Sequence, residues 1–285
     1  MIKLCAPTDA AGNNIDESIK AMRNMGVHLA EVRYIGDKSA IELSVSEAES
    51  CYNKFKEKGI EVYAIATSIG KRDFSIDFEE FKKRVYKAVE IAKAFHASYI
   101  RVFSFLNHNN NVDEVVNRLK SAVEIAGKEN IKICIENKEG AYGCTAQTVG
   151  ELLDKVPGLL TVYDPLNYIR QGETSESSLS IFARANYVHF NDAIRNGNVV
   201  EAVPAGEGIG SLAKLIQMTT NRDMPFSVDH HLRFPQPGET FEELQGKQKF
   251  VYPNKMAAFF DAVGHMRMLL LRAGYMEIHE GLFKK

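Results

Sequence analysis

Four segments in the second half of the chain end an apolar run on side chains that can carry charge or ligate a metal. They read Cys134-Ile-Glu136-Asn-Lys138, Val162-Tyr-Asp164-Pro165, Val188-His189-Phe-Asn-Asp192 and Ser227-Val-Asp229-His-His231. Taken singly, a Glu or His in such a place is a solvated loop residue or a hydrogen-bonded structural group. Brought together, Glu136, Asp164, His189 and Asp229 would be costly to desolvate, and the three carboxylates would repel one another. A single divalent ion removes both costs, and an oxygen-rich set with one imidazole suits Mn²⁺, Mg²⁺, Co²⁺ or Zn²⁺. An ion chelated by a carbonyl and its neighbouring hydroxyl stabilises the enediolate formed when the α-proton leaves. Glu136 and Asp229 are the expected proton-handling pair, with Lys138 and His231 as candidate helpers. Return of the proton to the opposite face gives epimerisation, and return to the next carbon gives isomerisation. Loss of hydroxide gives dehydration.

These residues need a scaffold that presents consecutive strand ends to one place. Short apolar runs alternate with longer helical segments along the whole chain. The expected strands are 2–6, 29–34, 60–66, 99–105, 131–137, 160–164, 187–191 and 226–229. Their lack of a polar face is that of strands buried on both sides. Between them, Phe78, Phe81, Val85, Ala88, Val89, Ala92 and Phe95 form one helical stripe, and Val112 to Ala126 carries a second. Gly26, Gly59 and Gly158 follow periodic segments, where a left-handed cap is wanted. A dinucleotide-binding sheet would show its glycine fingerprint in the first strand–helix turn, which here reads Pro7-Thr-Asp-Ala-Ala-Gly-Asn. The expectation is therefore α/β, a single (β/α)₈ TIM barrel over residues 1–285. An irregular loop at about 232–255 would lie over its catalytic end.

Composition narrows the partners. A net charge of −2 gives no electrostatic reason to expect nucleic acid or an acidic membrane. No apolar run approaches the roughly 18 residues that span a bilayer. Four scattered cysteines and the lack of a signal-peptide layout suggest free thiols and a cytoplasmic location. The last segment, Tyr275–Lys285, has little to pack on within a barrel, which suggests contact with another subunit in a homo-oligomer.

Other polar groups fall near the same barrel end. Glu31 and Arg33 share a face of the second strand, Arg101 lies in the fourth, and Asn107-His108 follow it. Glu31 and His108 are candidate substrate ligands, although Glu31, Arg33 and Arg101 equally suit an internal ion network. The turn Gly206-Glu-Gly-Ile-Gly-Ser211 precedes a helix. It reads better as a tight turn with Ser211 as N-cap than as a phosphate cradle.

The runs Ile-Glu136-Asn, Tyr-Asp164-Pro, Val-His189-Phe-Asn-Asp192, Pro-Ala-Gly206-Glu-Gly208 and Ser-Val-Asp229-His-His resemble the xylose isomerase-like barrel superfamily. Its nearest part is the sugar phosphate isomerase/epimerase group, which includes ketose 3-epimerases and inosose dehydratases. The resemblance implies one divalent metal, with Glu136, Asp164 and His189 matching the family's ligands and Asp229 standing where a second glutamate is usual. It also implies that Arg195 contacts substrate, and Asn167 replaces a substrate-binding His of the ketose 3-epimerases. The expected activity is that of a metal-dependent isomerase or epimerase, transferring a proton through a metal-bound enediolate of a small sugar or polyol. An inosose dehydratase-like lyase and a non-catalytic sugar-binding barrel are the alternatives. Apurinic-site endonucleases share the superfamily but need further His ligands on earlier strands. Here strands two and three end in Arg33-Tyr34 and Ala66-Thr67.

Overall fold

Strands of this apolar type cannot leave a face in water, and they solve the problem by closing on themselves. The computed structural model describes residues 1–71, 73–106, 111–219 and 222–285. In it, β1 (Ile2–Pro7), β2 (Leu29–Val32), β3 (Glu61–Ala66), β4 (Tyr99–Val102), β5 (Lys132–Glu136), β6 (Leu160–Tyr163), β7 (Tyr187–His189) and β8 (Met224–Ser227) pair in parallel in chain order. Pairing of β8 with β1, Phe226 beside Leu4 and Ser227 beside Cys5, closes the barrel. All eight expected strands are present. Several are shorter than expected, their pairing ending at Val32, Val102, Glu136, Tyr163, His189 and Ser227. Tyr34–Ile35, for example, leaves the barrel and pairs with Lys38–Ser39 in a separate hairpin.

Eight principal helices wrap the barrel: α1 (Ile15–Asn24), α2 (Val45–Glu57), α3 (Phe78–Ala94), α4 (Val112–Gly127), α5 (Ala146–Lys155), α6 (Ser175–Arg184), α7 (Leu212–Met218) and α8 (Lys255–Arg272). Most start on a side chain that satisfies free backbone N–H groups. Asp77 accepts from Glu79 and Glu80, and Ser44 with Glu47 forms a reciprocal capping pair. The α3 stripe is buried as the spacing requires, with Phe81, Val85, Ala88, Val89, Ala92 and Phe95 against the barrel. Gly26, Gly59 and Gly158 have positive φ angles, as expected of left-handed caps. No helix among the described residues is long and apolar enough to cross a membrane.

The segment at 232–255 contains a short helix, Phe241–Gln245, and an Arg233–Val251 bridge, and none of its residues lines the cavity at the strand ends. One expectation is corrected. The C-terminal tail packs within its own chain. Met276–His279 and Leu282–Lys284 form an antiparallel hairpin whose second strand pairs with β1, Ile2 facing Phe283 and Lys3 facing Leu282. Phe283 is fully buried, so the tail has the packing surface that its sequence position seemed to deny it. Phe283→Ala removes a buried ring and is expected to cost about 3 kcal/mol. A chemical-denaturation midpoint unchanged from wild type would show that the tail contributes nothing to the barrel.

Candidate functional site

The C-terminal ends of the strands surround a cavity of about 260 Å³. His189 ends β7 with its ring fully buried. Its Nε2 lies 3.0 Å from Glu31 Oε2 and 3.3 Å from Oε1. Glu31 is an acceptor, so Nε2 carries a proton and Nδ1 points the other way. Nδ1 has no hydrogen-bond partner. It faces Asp164 Oδ2 at 3.4 Å, Asp229 Oδ2 at 3.5 Å and Glu136 Oε1 at 3.6 Å. Glu136 closes β5, Asp164 follows β6 and Asp229 follows β8, so four consecutive strands deliver these four groups.

Each carboxylate is held by further contacts. Asn167 Nδ2 donates to Glu136 Oε1 at 3.1 Å, and Arg101 Nε lies 3.0 Å from Oε2. Burial alone would raise the Glu136 pKa, but Arg101 and His189 bring it down to about 2. Asp164 caps the helix Pro165–Gln171 through Asn167 N–H and accepts from Asn191 Nδ2. Arg33 donates to both oxygens of Asp229, at 2.9 and 3.1 Å, and its Nε donates to Asp9. His231 Nε2 lies 3.3 Å from Asp229 Oδ2. Burial opposes the charge on Asp229, yet Arg33 and His231 carry its pKa well below the usual carboxylate range. Burial likewise disfavours a charged His189, but Glu31 and Glu136 drive its pKa well above that of a free imidazole.

These groups fit a divalent cation. Glu136, Asp164 and His189 bring one ligand atom each within 4.8 Å of one another, as do Asp164, Asp229 and His231. Nδ1 is a buried ring nitrogen aimed at three carboxylates. With no cation there its raised pKa puts a proton on it, and a divalent cation would take that proton's place among the same oxygens. Glu136, Asp164 and His189 are therefore the best-placed ligands. Asp229 is drawn toward Arg33 by the ion pair.

The remaining expected site residues divide. Lys138 and His231 line the cavity, with Lys138 Nζ reaching Asn167 Oδ1 at 3.3 Å. Glu31 does not: it is fully buried beneath His189, where Tyr187 and Ser227 also donate to it. Glu31 therefore positions an imidazole; of the expected Glu31–Arg33–Arg101 network the Arg101–Glu31 ion pair is formed, whereas Arg33 pairs with Asp9 and Asp229. Arg101 Nε lies 3.8 Å from Glu31. Arg195 lies on the hairpin Asp192–Asn196/Val199–Val203, outside the cavity, and donates to the carbonyls of Ile169 and Arg170. His108 and Asn107 lie outside the described residues.

The glycine turn is also reinterpreted. Ser211 makes no side-chain cap and has a φ of 52°. The N–H groups of Gly206, Gly208 and Gly210 all donate to the buried Asp192 carboxylate, at 3.0, 3.1 and 2.8 Å, together with that of Ala193. The cradle that suggested phosphate is filled by an anion from the same chain. A Cβ on Gly208 would lie 2.3 Å from Asp192 Oδ1, which is why the turn needs glycine there.

Sequence reasoning passed over Asp9, Tyr34, Thr67, Ser68, Lys71 and Arg170, all of which line the cavity. Arg170 stands three residues after Asn167 on one helix, a spacing that shares a face. Asp9 lies in a one-turn helix, Thr8–Ala11, Tyr34 in the Tyr34–Ile35 hairpin, and Thr67, Ser68 and Lys71 follow β3, segments too short to show periodicity.

The profile of the xylose isomerase-like TIM barrel family matches residues 19–245, and the chain belongs to that family. No curated protein matches the sequence. Among solved structures, the probable 3-DHS dehydratase AsbF of Bacillus anthracis is 18% identical with a TM-score of 0.69, covering 93% of this chain and 98% of its own. A xylose isomerase-like barrel of Mycobacterium smegmatis, in complex with magnesium, is 12% identical with a TM-score of 0.72, covering 95% and 97%. D-allulose 3-epimerase of Methylomonas sp., in complex with D-allulose, is 13% identical with a TM-score of 0.67, covering 94% and 96%. At these identities the likeness establishes the shared fold.

Two measurements test the site's architecture. Asp192→Asn presents an amide donor to glycine N–H groups and is expected to cost about 3 kcal/mol, with faster hydrogen exchange at Gly206 and Gly208. Wild-type exchange at those amides would show that Asp192 does not hold the turn. His230 is buried, its Nδ1 accepting from Leu232 N–H at 3.0 Å and its Nε2 lying 3.3 Å from the Ala10 carbonyl. Burial brings its pKa down to about 4, against the pull of that carbonyl. Below the unfolded value of about 6.5 the unfolded chain takes up a proton that the folded chain refuses. Stability contributed by His230 is thus present above that value and falls by about 3 kcal/mol as the pH drops to 4. His230→Gln is expected to flatten this part of the stability–pH curve. An unflattened curve would assign the loss to other groups.

Proposed function

We propose that the protein is a divalent-metal-dependent enzyme that moves a proton on a carbon next to a carbonyl in a small hydroxylated substrate, as an isomerase or epimerase. The observation that carries this reading is His189 Nδ1, buried and unpartnered before three carboxylates at the mouth of a barrel. Glu136, Asp164 and His189 would hold the ion with Asp229, and the ion would polarise the substrate carbonyl as a Lewis acid. Glu31 fixes the imidazole tautomer from below by accepting from Nε2. Glu136 and Asp229 come from β5 and β8, on different sides of the cavity, and their lowered pKa values keep both ionised and able to accept a proton. Arg101 and Arg33 hold them in place and offset their mutual repulsion. The relatives that act on sugars or dehydrate a substrate on this fold agree with that class of chemistry.

Dehydration is the second reading, favoured by His231. Its ring is partly exposed to the cavity and lies against Asp229, where an imidazolium can protonate a departing hydroxide. A non-catalytic sugar-binding barrel needs no ion.

Purified protein given Mn²⁺ and then desalted is expected to retain about one ion per chain, and His189→Ala to retain far less. Absence of bound ion in the wild type would remove the foundation of the enzyme reading. In D₂O, a panel of ketoses, inososes and their phosphates is expected to include a compound that takes up deuterium beside its carbonyl. Glu136→Gln should slow that uptake by at least about a hundredfold. Unchanged uptake in Glu136→Gln would exclude Glu136 as the base.

A further inference from the structure

The charges that line the cavity do not balance. Its carboxylates, Asp9, Glu136 and Asp229, are each already engaged by an arginine. Three further cations, Lys71, Lys138 and Arg170, line the same cavity with no carboxylate partner among the described residues. Lys138 and Arg170 both reach only the neutral Asn167 Oδ1, at 3.3 and 3.5 Å. The same Asn167 donates to Glu136, so these cations sit one side chain away from the ligand cluster. Burial lowers the Lys71 pKa, and the like charges of Lys138 and Arg101 lower it further, against the pull of Glu136. The alternative anion cradle, the glycine turn, is filled by Asp192.

We infer that the substrate carries an anionic oxyacid group, a carboxylate or a phosphate, which docks between Lys71, Lys138 and Arg170 while its hydroxycarbonyl end faces Glu136, Asp164 and His189. This rests on the enzyme reading above and names the substrate class for it. Three convergent donors match the several acceptor oxygens of either group, and a guanidinium can engage two of them at once. A neutral sugar would leave five cationic side chains against three carboxylates around one cavity, an excess of two positive charges.

The test uses three small probes: D-glycerate, glycerol 3-phosphate and neutral glycerol. Their binding to the full chain is measured by calorimetry, once with EDTA and once with Mn²⁺. At least one acid is expected to bind under both conditions, weakening as salt rises, and glycerol to bind far less. Preference for glycerate assigns a carboxylate substrate, and preference for glycerol 3-phosphate a phosphorylated one. The Lys71→Met/Arg170→Met variant is expected to lose at least about tenfold in acid affinity. Lys71→Arg/Arg170→Lys, which keeps the charges, should retain most of it. Equal binding of glycerol, no binding of either acid, or unchanged acid affinity in the methionine variant would overturn the inference. Because the EDTA arm needs no metal, acid binding there supports the anion subsite even if the ion-retention test fails. Retention of the ion and deuterium uptake by a neutral ketose, with no acid bound, would sink this inference and leave the enzyme reading intact.

Discussion

Confinement of negative charge governs this molecule. Glu31, Glu136, Asp164 and Asp229 lie around one imidazole, in a place where water cannot screen them, and each must be matched by a donor or a cation. Much of the interior follows from that requirement. Arg101 in β4 reaches Glu136, and Arg33, just beyond β2, reaches Asp229. Asn137, Asn167 and Asn191 tie the strand ends together: Asn137 exchanges hydrogen bonds with the Asp164 backbone, and Asn191 Oδ1 accepts from the Leu166 N–H. Paired carboxylates and amides thus form a layer that sets how strands β5 to β8 present their ends. Removal of one partner would leave a buried charge whose penalty is several kcal/mol, which ties the barrel's stability to its chemistry.

The scaffold was legible because its signal is local. A strand buried on both faces must be apolar throughout, and a helix leaning on it must carry a stripe, so the eight repeats could be read from the chain directly. The positions of Glu136, Asp164, His189 and Asp229 were legible for the same reason, since each ends such a run. What lay beyond reach was depth. Glu31 sits on a strand and points inward, as the alternation requires. Only the register that places β2 against β1 and β3 shows that it lies beneath His189 instead of beside a substrate.

Pairings between distant segments were equally hidden. The glycine turn reads as tight but is credited to a Ser211 cap, because the anion that organises it, Asp192, precedes it by a whole hairpin. Arg195 looked like a substrate ligand because a motif supplies a position and not a direction, and here the side chain turns back to the carbonyls that end a short helix. The tail seemed to lack a surface because the exposed stretch of β1 that receives it exists only after the barrel has twisted. Lys71 comes from the loop after β3 and Arg170 from the short helix after β6, and only the closed barrel makes them neighbours of one cavity.

The tail hairpin has a consequence for how the barrel assembles. Strand β1 is flanked by β8 and β2 and also, over Ile2 and Lys3, by residues 282–283. Its final environment therefore depends on contacts separated by more than two hundred residues, which carry the greatest loop-closure entropy in the fold. Such contacts form late, after the successive strand–helix units have condensed on their neighbours. The seam between β1 and β8 is thus the joint that closes the ring, while the short antiparallel clasp braces the opposite edge of β1, over Ile2 and Lys3, where β2 does not reach.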